Sequence, residues 1–304
     1  MTHSQSPIFL QEVYKNYGKV RALQGVNLEV QPGEIFGFLG PNGSGKTTTI
    51  RCMLDLIRPA SGTLRVLGLD PQKSPTEVRA RCGYLPGELH LDESVSVADS
   101  LRLLNRLRSP QADWKIITAM AERLDLNLKL PIKSLSKGNK QKIGIVQALM
   151  HHPTLLLMDE PTSGLDPLIQ QEVYQLLREA QQDGSTVFFS SHILSEVQEI
   201  AGRVAIIRRG KIIEIAETNA LINRSFRRIR IAFKSPCEVD PIKSVPGVTV
   251  ENSDGSSAIT LRVEGEMDGL IKALAAYPVR DLEIVKPTLE EIFLAYYQNG
   301  NGEA

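Results

Sequence analysis

Cysteine is scarce in this chain: Cys52, Cys82 and Cys237 are the three in 304 residues. An odd number at wide spacing excludes a disulfide-stapled scaffold and matches no zinc motif, so reduced thiols are expected. A charge excess is also missing, since 35 Lys and Arg balance 35 Asp and Glu. A neutral chain has no general attraction for a polyanion, and no nucleic-acid partner is expected. Long apolar runs are absent too. Leu155–Met158 and Val204–Ile207 fall far short of the roughly 20 residues that cross a bilayer. If the chain works at a membrane, another chain must supply the channel. Met1 to Leu10 hold no basic stretch followed by an apolar one, so no secretory signal is expected there. No internal repeat or low-complexity segment stands out.

What is present is ordinary for a globular protein: 42% apolar and 23% charged residues, at a length that suggests about two domains. Val26, Leu28 and Val30 alternate with polar residues, as in a half-buried strand. Glu34–Leu39 is an apolar run ending in a glycine-rich turn, and Thr47–Leu56 reads as a helix after it. From about Gly87 to Met150 the pattern is helical, with stripes at Val97, Leu101, Leu104 and at Trp114, Ile117, Ala121, Leu124 that read as core. Thr154–Met158 is a largely apolar run, as expected of a strand buried on both faces of a parallel sheet. A helix over Gln170–Ala180 and a strand from Thr186 continue the alternation, which argues for an α/β core.

The texture changes after about Ala220. Phe226–Phe233, Val248–Glu251, Ile259–Val263 and Leu282–Val285 read as strands, with helices at Pro241–Val245 and Met267–Ala275. The order βαββαβ predicts a small ferredoxin-like α+β domain. A last helix is expected over Thr288–Tyr297, after Pro287 and with Thr288 and Glu291 in a capping-box pattern. The expected division is residues 1–220, with a helical subdomain at about 87–150, and 221–304.

Two segments carry chemistry. Gly40-Pro41-Asn42-Gly43-Ser44-Gly45-Lys46-Thr47 matches the phosphate-loop pattern in full, between a strand and a helix. Its glycines let backbone N–H groups curl around a phosphate, and the helix start adds partial positive charge. Asn42, Gly43, Ser44, Gly45, Lys46, Thr47 and Thr48 are therefore candidate ATP contacts. Lys46 is placed for the β- and γ-phosphates, and Thr47 for Mg²⁺. The second segment is the apolar strand that ends in Asp159-Glu160. Asp159 suits Mg²⁺, and Glu160 suits an attacking water as general base or water-positioner.

These segments stand in order with Leu135-Ser136-Lys137-Gly138-Asn139, then Ser163-Gly164-Leu165-Asp166 and His192. The ordered set resembles the ABC ATPase family over about Ile8 to Thr218, and implies its P-loop NTPase fold. The resemblance implies that Tyr17 stacks on adenine and that Ser136 and Gly138 touch the γ-phosphate of ATP held by a second subunit. It implies that Asp166 signals across the dimer and that His192 senses the γ-phosphate in catalysis. His151 and His152 have no such support and read as a loop after a helix. Pro287-Thr288-Leu289-Glu290-Glu291-Ile292-Phe293-Leu294 resembles the tail of ATPases serving type 2 ABC exporters.

Two departures stand out. Lys137 and Asn139 replace the commoner Gly and Gln of the signature. Gly87 stands where a glutamine normally reaches Mg²⁺ and water, with Glu88 beside it as either a replacement ligand or a solvated acid. The resemblance implies an ATP-hydrolysing motor of an exporter, peripheral on the cytoplasmic face of the cell membrane. It would act as a homodimer or heterodimer of ATPase subunits with a separate permease. A soluble ABC ATPase acting on nucleic acid, ribosome or a cofactor-assembly scaffold is the alternative. The translation-associated branch normally carries two cassettes per chain where this one has one. A module that binds ATP without hydrolysis is a third reading, which Glu160 and His192 oppose.

Overall fold

The computed structural model describes residues 6–108, 111–224, 227–235, 237, 240–254 and 257–285. The chain forms two compact units, Met1–Thr218 and Asn219–Ala304. The expected helix over Thr288–Tyr297 and the exporter-like tail lie outside the described residues.

The first unit opens with β1 (Ile8–Tyr17) and β2 (Val20–Val30), followed by β3 (Ile35–Leu39), α1 (Lys46–Met53) and β4 (Ser61–Val66). Next come α2 (Pro75–Arg81), β5 (Cys82–Leu85) and the helical stretch α3 (Val97–Arg106), α4 (Trp114–Arg123) and α5 (Lys137–Leu149). The unit ends with β6 (Leu155–Asp159), α6 (Pro167–Gln182), β7 (Thr186–Ser191), α7 (Leu194–Ile200), β8 (Arg203–Arg208) and β9 (Lys211–Glu217). Helix α8 (Thr218–Arg224) starts at the boundary.

A six-stranded sheet runs β5-β6-β7-β3-β8-β9, parallel except at its β9 edge. Every residue of β3, β6 and β7 is buried, which is why these strands read as apolar runs rather than alternations. Phe36 stacks on Phe188 at 5.9 Å, and Phe38 tilts against it at 5.2 Å. In an open parallel sheet, ligands gather beyond the carboxyl ends of the strands, and β3, β6 and β7 end there together. A separate antiparallel sheet, β2-β1-β4, was not expected from the sequence beyond one of its strands.

Two further corrections concern the helices. Helix α1 ends at Met53, short of the expected Leu56. The expected helical region holds no helix before Val97. Trp114 is half-buried, with the Arg102 guanidinium 4.7 Å from its ring, while Ile117, Ala121 and Leu124 are fully in the core. Arg123 on α4 pairs with Glu172 and Glu179 on α6 at 2.5 and 2.6 Å, tying the helical region to the sheet-side helix.

In the second unit, β10 (Arg227–Phe233), α9 (Asp240–Lys243), β11 (Val248–Asp254), β12 (Ala258–Val263), α10 (Asp268–Leu274) and β13 (Val279–Val285) realise the βαββαβ order. The sheet runs β11-β12-β10-β13 with every pair antiparallel. Ile229, Ile231 and Phe233 pack with Ile259, Leu261 and Val263 under Ile242, Leu270 and Leu274 of the helices.

Candidate active site

The phosphate loop leaves β3 at Gly40 and enters α1 at Lys46. Gly43 and Gly45 take φ values of 75° and 114°, which an L-residue adopts only with strain. A Cβ on Gly45 would also press on the Ala22 carbonyl at 2.8 Å, so β2 lies directly against the loop. Lys46 is 5% exposed, and its ammonium donates to the carbonyls of Gly40 at 2.7 Å and Pro41 at 3.3 Å. Burial pulls this ammonium below its ordinary pKa, and the negative charges of Glu160 and Asp159 oppose the shift. The Ser44 hydroxyl is buried without a hydrogen-bond partner, an orphaned group of the kind a phosphate oxygen satisfies. Asn42 and Gly43 are exposed at the loop tip, and Thr48 is half-buried.

Strand β6 delivers the carboxylates. Asp159 is 1% exposed and accepts from Thr47 Oγ1 at 2.6 Å and from Ser190 Oγ at 2.5 Å. A hydroxyl and a carboxylate side by side are hard oxygen donors that fit Mg²⁺, which is usually held by one or two protein oxygens plus phosphates. Among the described residues no group of three or more His, Cys, Asp and Glu forms an all-protein metal cage. Glu160 turns sharply off the strand with φ 52°, uncommon for a non-glycine residue and a form of strain found at working sites. Its backbone N–H donates to the carbonyl of Ser190 at 3.2 Å and to its hydroxyl at 3.1 Å. Its Oε1 lies 3.5 Å from Lys46 Nζ and 3.2 Å from His192 Nδ1. With a carboxylate facing it, Nδ1 is the ring nitrogen placed to donate to Glu160.

Lys46, Thr47, Asp159, Glu160 and His192 thus meet in one cluster at the ends of β3, β6 and β7. Tyr17 is 46% exposed at the end of β1, with Lys15 Nζ 5.2 Å from its ring, on the hairpin whose second strand touches the loop. Ser136 and Gly138 stand apart. No hydrogen bond or ion pair among the described residues joins either to the phosphate loop. Ser136 caps α5, accepting from the Asn139 N–H at 3.2 Å. A Cβ on Gly138 would meet the Gly164 carbonyl at 2.5 Å, so a side chain there would drive the signature helix off the turn before Asp166. Asp166 caps α6, accepting from Ile169 N–H at 3.1 Å. A Cβ on Gly87 would sit 3.1 Å from Asp159 Oδ2. Glu88 is exposed and lines a cavity of about 410 Å³ with Lys137 and Lys140.

Sequence reasoning missed two supports of the cluster. Ser190 grips Asp159 and Glu160 from β7. Gln141, 5% exposed on α5, donates to the carbonyls of Glu160 at 3.0 Å and Pro161 at 3.3 Å. It is one of three amides on α5, with Asn139 and Gln147, and nothing in the sequence sets it apart from them.

This fold with these groups at its strand ends defines a P-loop nucleoside triphosphatase of the ATP-binding-cassette class. The chain belongs to the ATP-binding proteins of ABC transporters and is an ATPase. The family described as "ABC transporter" matches residues 23–163, and that described as "ATP-binding protein DrrA1-3-like, C-terminal domain" matches 221–297. The chain is 32% identical to the daunorubicin/doxorubicin resistance ATP-binding protein DrrA of Streptomyces peucetius, over 92% of this chain and 89% of that one. It is 36% identical to the bacitracin transport ATP-binding protein BcrA of Bacillus licheniformis, over 67% of each. A solved structure described as the ATP-binding subunit of an ABC transporter superposes with a TM-score of 0.65 and 25% identity, covering 71% of this chain and 92% of that one.

Proposed function

We propose that residues 1–220 form a nucleotide-binding motor, with its helical subdomain at about 87–150, that drives export through a separate permease. Residues 221–304 form its accessory domain. The convergence of Lys46, Thr47, Asp159, Glu160 and His192 carries this reading. Lys46 and the N–H groups from Asn42 to Thr48 neutralise and orient the phosphates of ATP, while Tyr17 stacks on the adenine. Thr47 and Asp159 hold Mg²⁺, which when bound offsets charge developing on the phosphate oxygens. Glu160 orients the attacking water and accepts its proton, and His192 holds Glu160 on one side while facing the γ-phosphate.

One chain has one loop and one signature, kept apart. A symmetric pair stacked head to tail would bring Ser136 and Gly138 of one copy to the nucleotide of the other. Leu168, 83% exposed just beyond Asp166, is an apolar residue that such a contact would cover. The pair would lie peripherally on the cytoplasmic face of the membrane. No described helix is long and apolar enough to cross it, which supports a permease supplied by another chain. A groove of about 490 Å³ beside Leu104, Leu107, Arg79 and Arg108 suits an inserted permease segment. Relatives named for drug resistance and bacitracin transport support outward movement of cargo.

Glu160→Gln tests the reading. Hydrolysis should slow by about 10²–10⁴-fold with ATP binding retained, the usual size of a general-base effect. ATP should then hold the pair closed, seen as a dimer in size-exclusion chromatography. Hydrolysis at the wild-type rate would remove Glu160 from the mechanism.

A further inference from the structure

Glu196 lies in the first turn of α7, 9% exposed. Its Oε1 accepts from Thr162 Oγ1 at 2.5 Å, and its Oε2 accepts from Ser191 Oγ. Thr162 and Ser191 are themselves buried, at 2% and 1%. Thr162 stands two residues beyond Glu160, and Ser191 immediately precedes His192. Ser191 Oγ also accepts the N–H of Ile193 at 2.9 Å, which closes the turn that carries His192. On the far side lies Tyr174 of α6. Its hydroxyl is pushed up to about 12 by burial and by the Glu196 charge, against a hydrogen bond with Thr162.

A buried carboxylate held by hydroxyls is an expensive way to stabilise a fold, because desolvation of the charge outweighs what neutral donors return. What this arrangement supplies is connection. One side chain ties the turn after Glu160 to the turn bearing His192, and Ser190 ties the same two strands from the Asp159 side. Between these two links, Glu160 Oε1 and His192 Nδ1 sit 3.2 Å apart.

We propose that Glu196 is a positioning residue for hydrolysis: its carboxylate fixes Glu160 relative to His192 by bridging Thr162 and Ser191. The proposal rests on the reading of Glu160 as the group that orients the attacking water. Without the bridge, the two turns can shift while the phosphate loop, Lys46 and Tyr17 stay in place. Nucleotide should therefore still bind, and the chemical step should suffer, because small misplacements of reacting groups are costly in rate.

The test uses the full-length chain with Glu196→Gln and Glu196→Ala. Glutamine keeps the shape but can accept only one of the two hydroxyl bonds. Its NH₂ must then donate to a hydroxyl such as Ser191 Oγ, which already accepts from Ile193. Single-turnover hydrolysis should fall by about 10- to 100-fold, more for alanine than for glutamine. ATP affinity should stay within about twofold of wild type. In a Glu160→Gln background the Glu196 changes should add little, since residues acting as one unit are non-additive. Wild-type kcat in a folded Glu196→Gln, a raised KM with kcat unchanged, or a full multiplicative loss on top of Glu160→Gln would each overturn the proposal. If Glu196→Ala fails to fold, the near-isosteric glutamine decides alone. If Glu160→Gln itself hydrolyses normally, the Glu160 reading falls, and the effect of Glu196→Gln on kcat is still read separately.

Discussion

Lys46 is held under opposing demands. Its ammonium is removed from water, which lowers its pKa, while the Glu160 and Asp159 carboxylates pull the other way. Lys46→Ala should weaken ATP binding by roughly 10- to 100-fold, the range of a charge-assisted hydrogen bond lost without replacement. Thermal stability should hold, since the buried charge that costs folding energy goes with it. Isothermal titration and a melting curve check the two halves, and unchanged ATP affinity would sink the assignment of the loop. Lys46 was legible because the phosphate loop is contiguous in the chain. Ser190, Gln141 and Glu196 were not. Each sits among other polar residues of its own element, and its meaning comes from partners that only the fold brings near. Gly87 belongs with them. The text shows a missing glutamine, and only the structure shows that the position abuts Asp159 so closely that a side chain there would crowd the carboxylate.

Elements were legible where periodicity is clean. The strands β3, β6 and β7 are buried on both faces, and the βαββαβ unit alternates well. Strand β1 was not found because its pairing with β2 slips between Leu10 and Val13, between Val13 and Tyr14, and between Lys15 and Asn16. Each irregularity breaks the alternation of period two that marks a strand, and Glu12 at the first of them has φ 49°. The junction of α3 with the end of α5 carries a testable consequence. Arg108 Nη1 lies 2.8 Å from His151 Nε2, and burial followed by the Arg108 charge pushes the His151 ring down to about 4. An unfolded histidine takes up its proton near its ordinary value of 6.5. Between these values unfolding binds a proton, so stability falls as pH drops from about 6.5 toward 4. Allowing for the ring's partial exposure, His151 should cost about 1 kcal/mol at pH 5. His151→Gln keeps an acceptor for Arg108 and should shrink the loss in melting temperature between pH 7 and pH 5. An identical loss in both proteins would mean that the ring titrates alike folded and unfolded.

At the scale of the whole molecule, the distribution of functional groups dictates an assembly. The groups proposed to meet ATP phosphates and water converge at the ends of three strands, whereas Ser136 and Gly138 stand at the start of α5 with no hydrogen bond or ion pair to them among the described residues. If a nucleotide lies between the loop of one copy and the signature of another, two different defects should complement. Lys46→Ala spoils the loop and leaves Ser136 intact. Ser136→Glu places a carboxylate where an anion is to be bound and leaves the loop intact; its site is exposed, so folding should survive. Each variant alone builds pairs in which both sites are defective. In a mixed pair one site combines both defects, and the other joins an intact loop to an intact signature. Random mixing makes half the pairs mixed, so hydrolysis should return to about a quarter of the wild-type rate if the sites turn over independently. A site built within one chain gives no recovery at any mixing ratio. Native mass spectrometry would establish that mixed pairs form; mixed pairs without hydrolysis would refute independent sites shared between copies, and recovery near a quarter would place each site across the two chains.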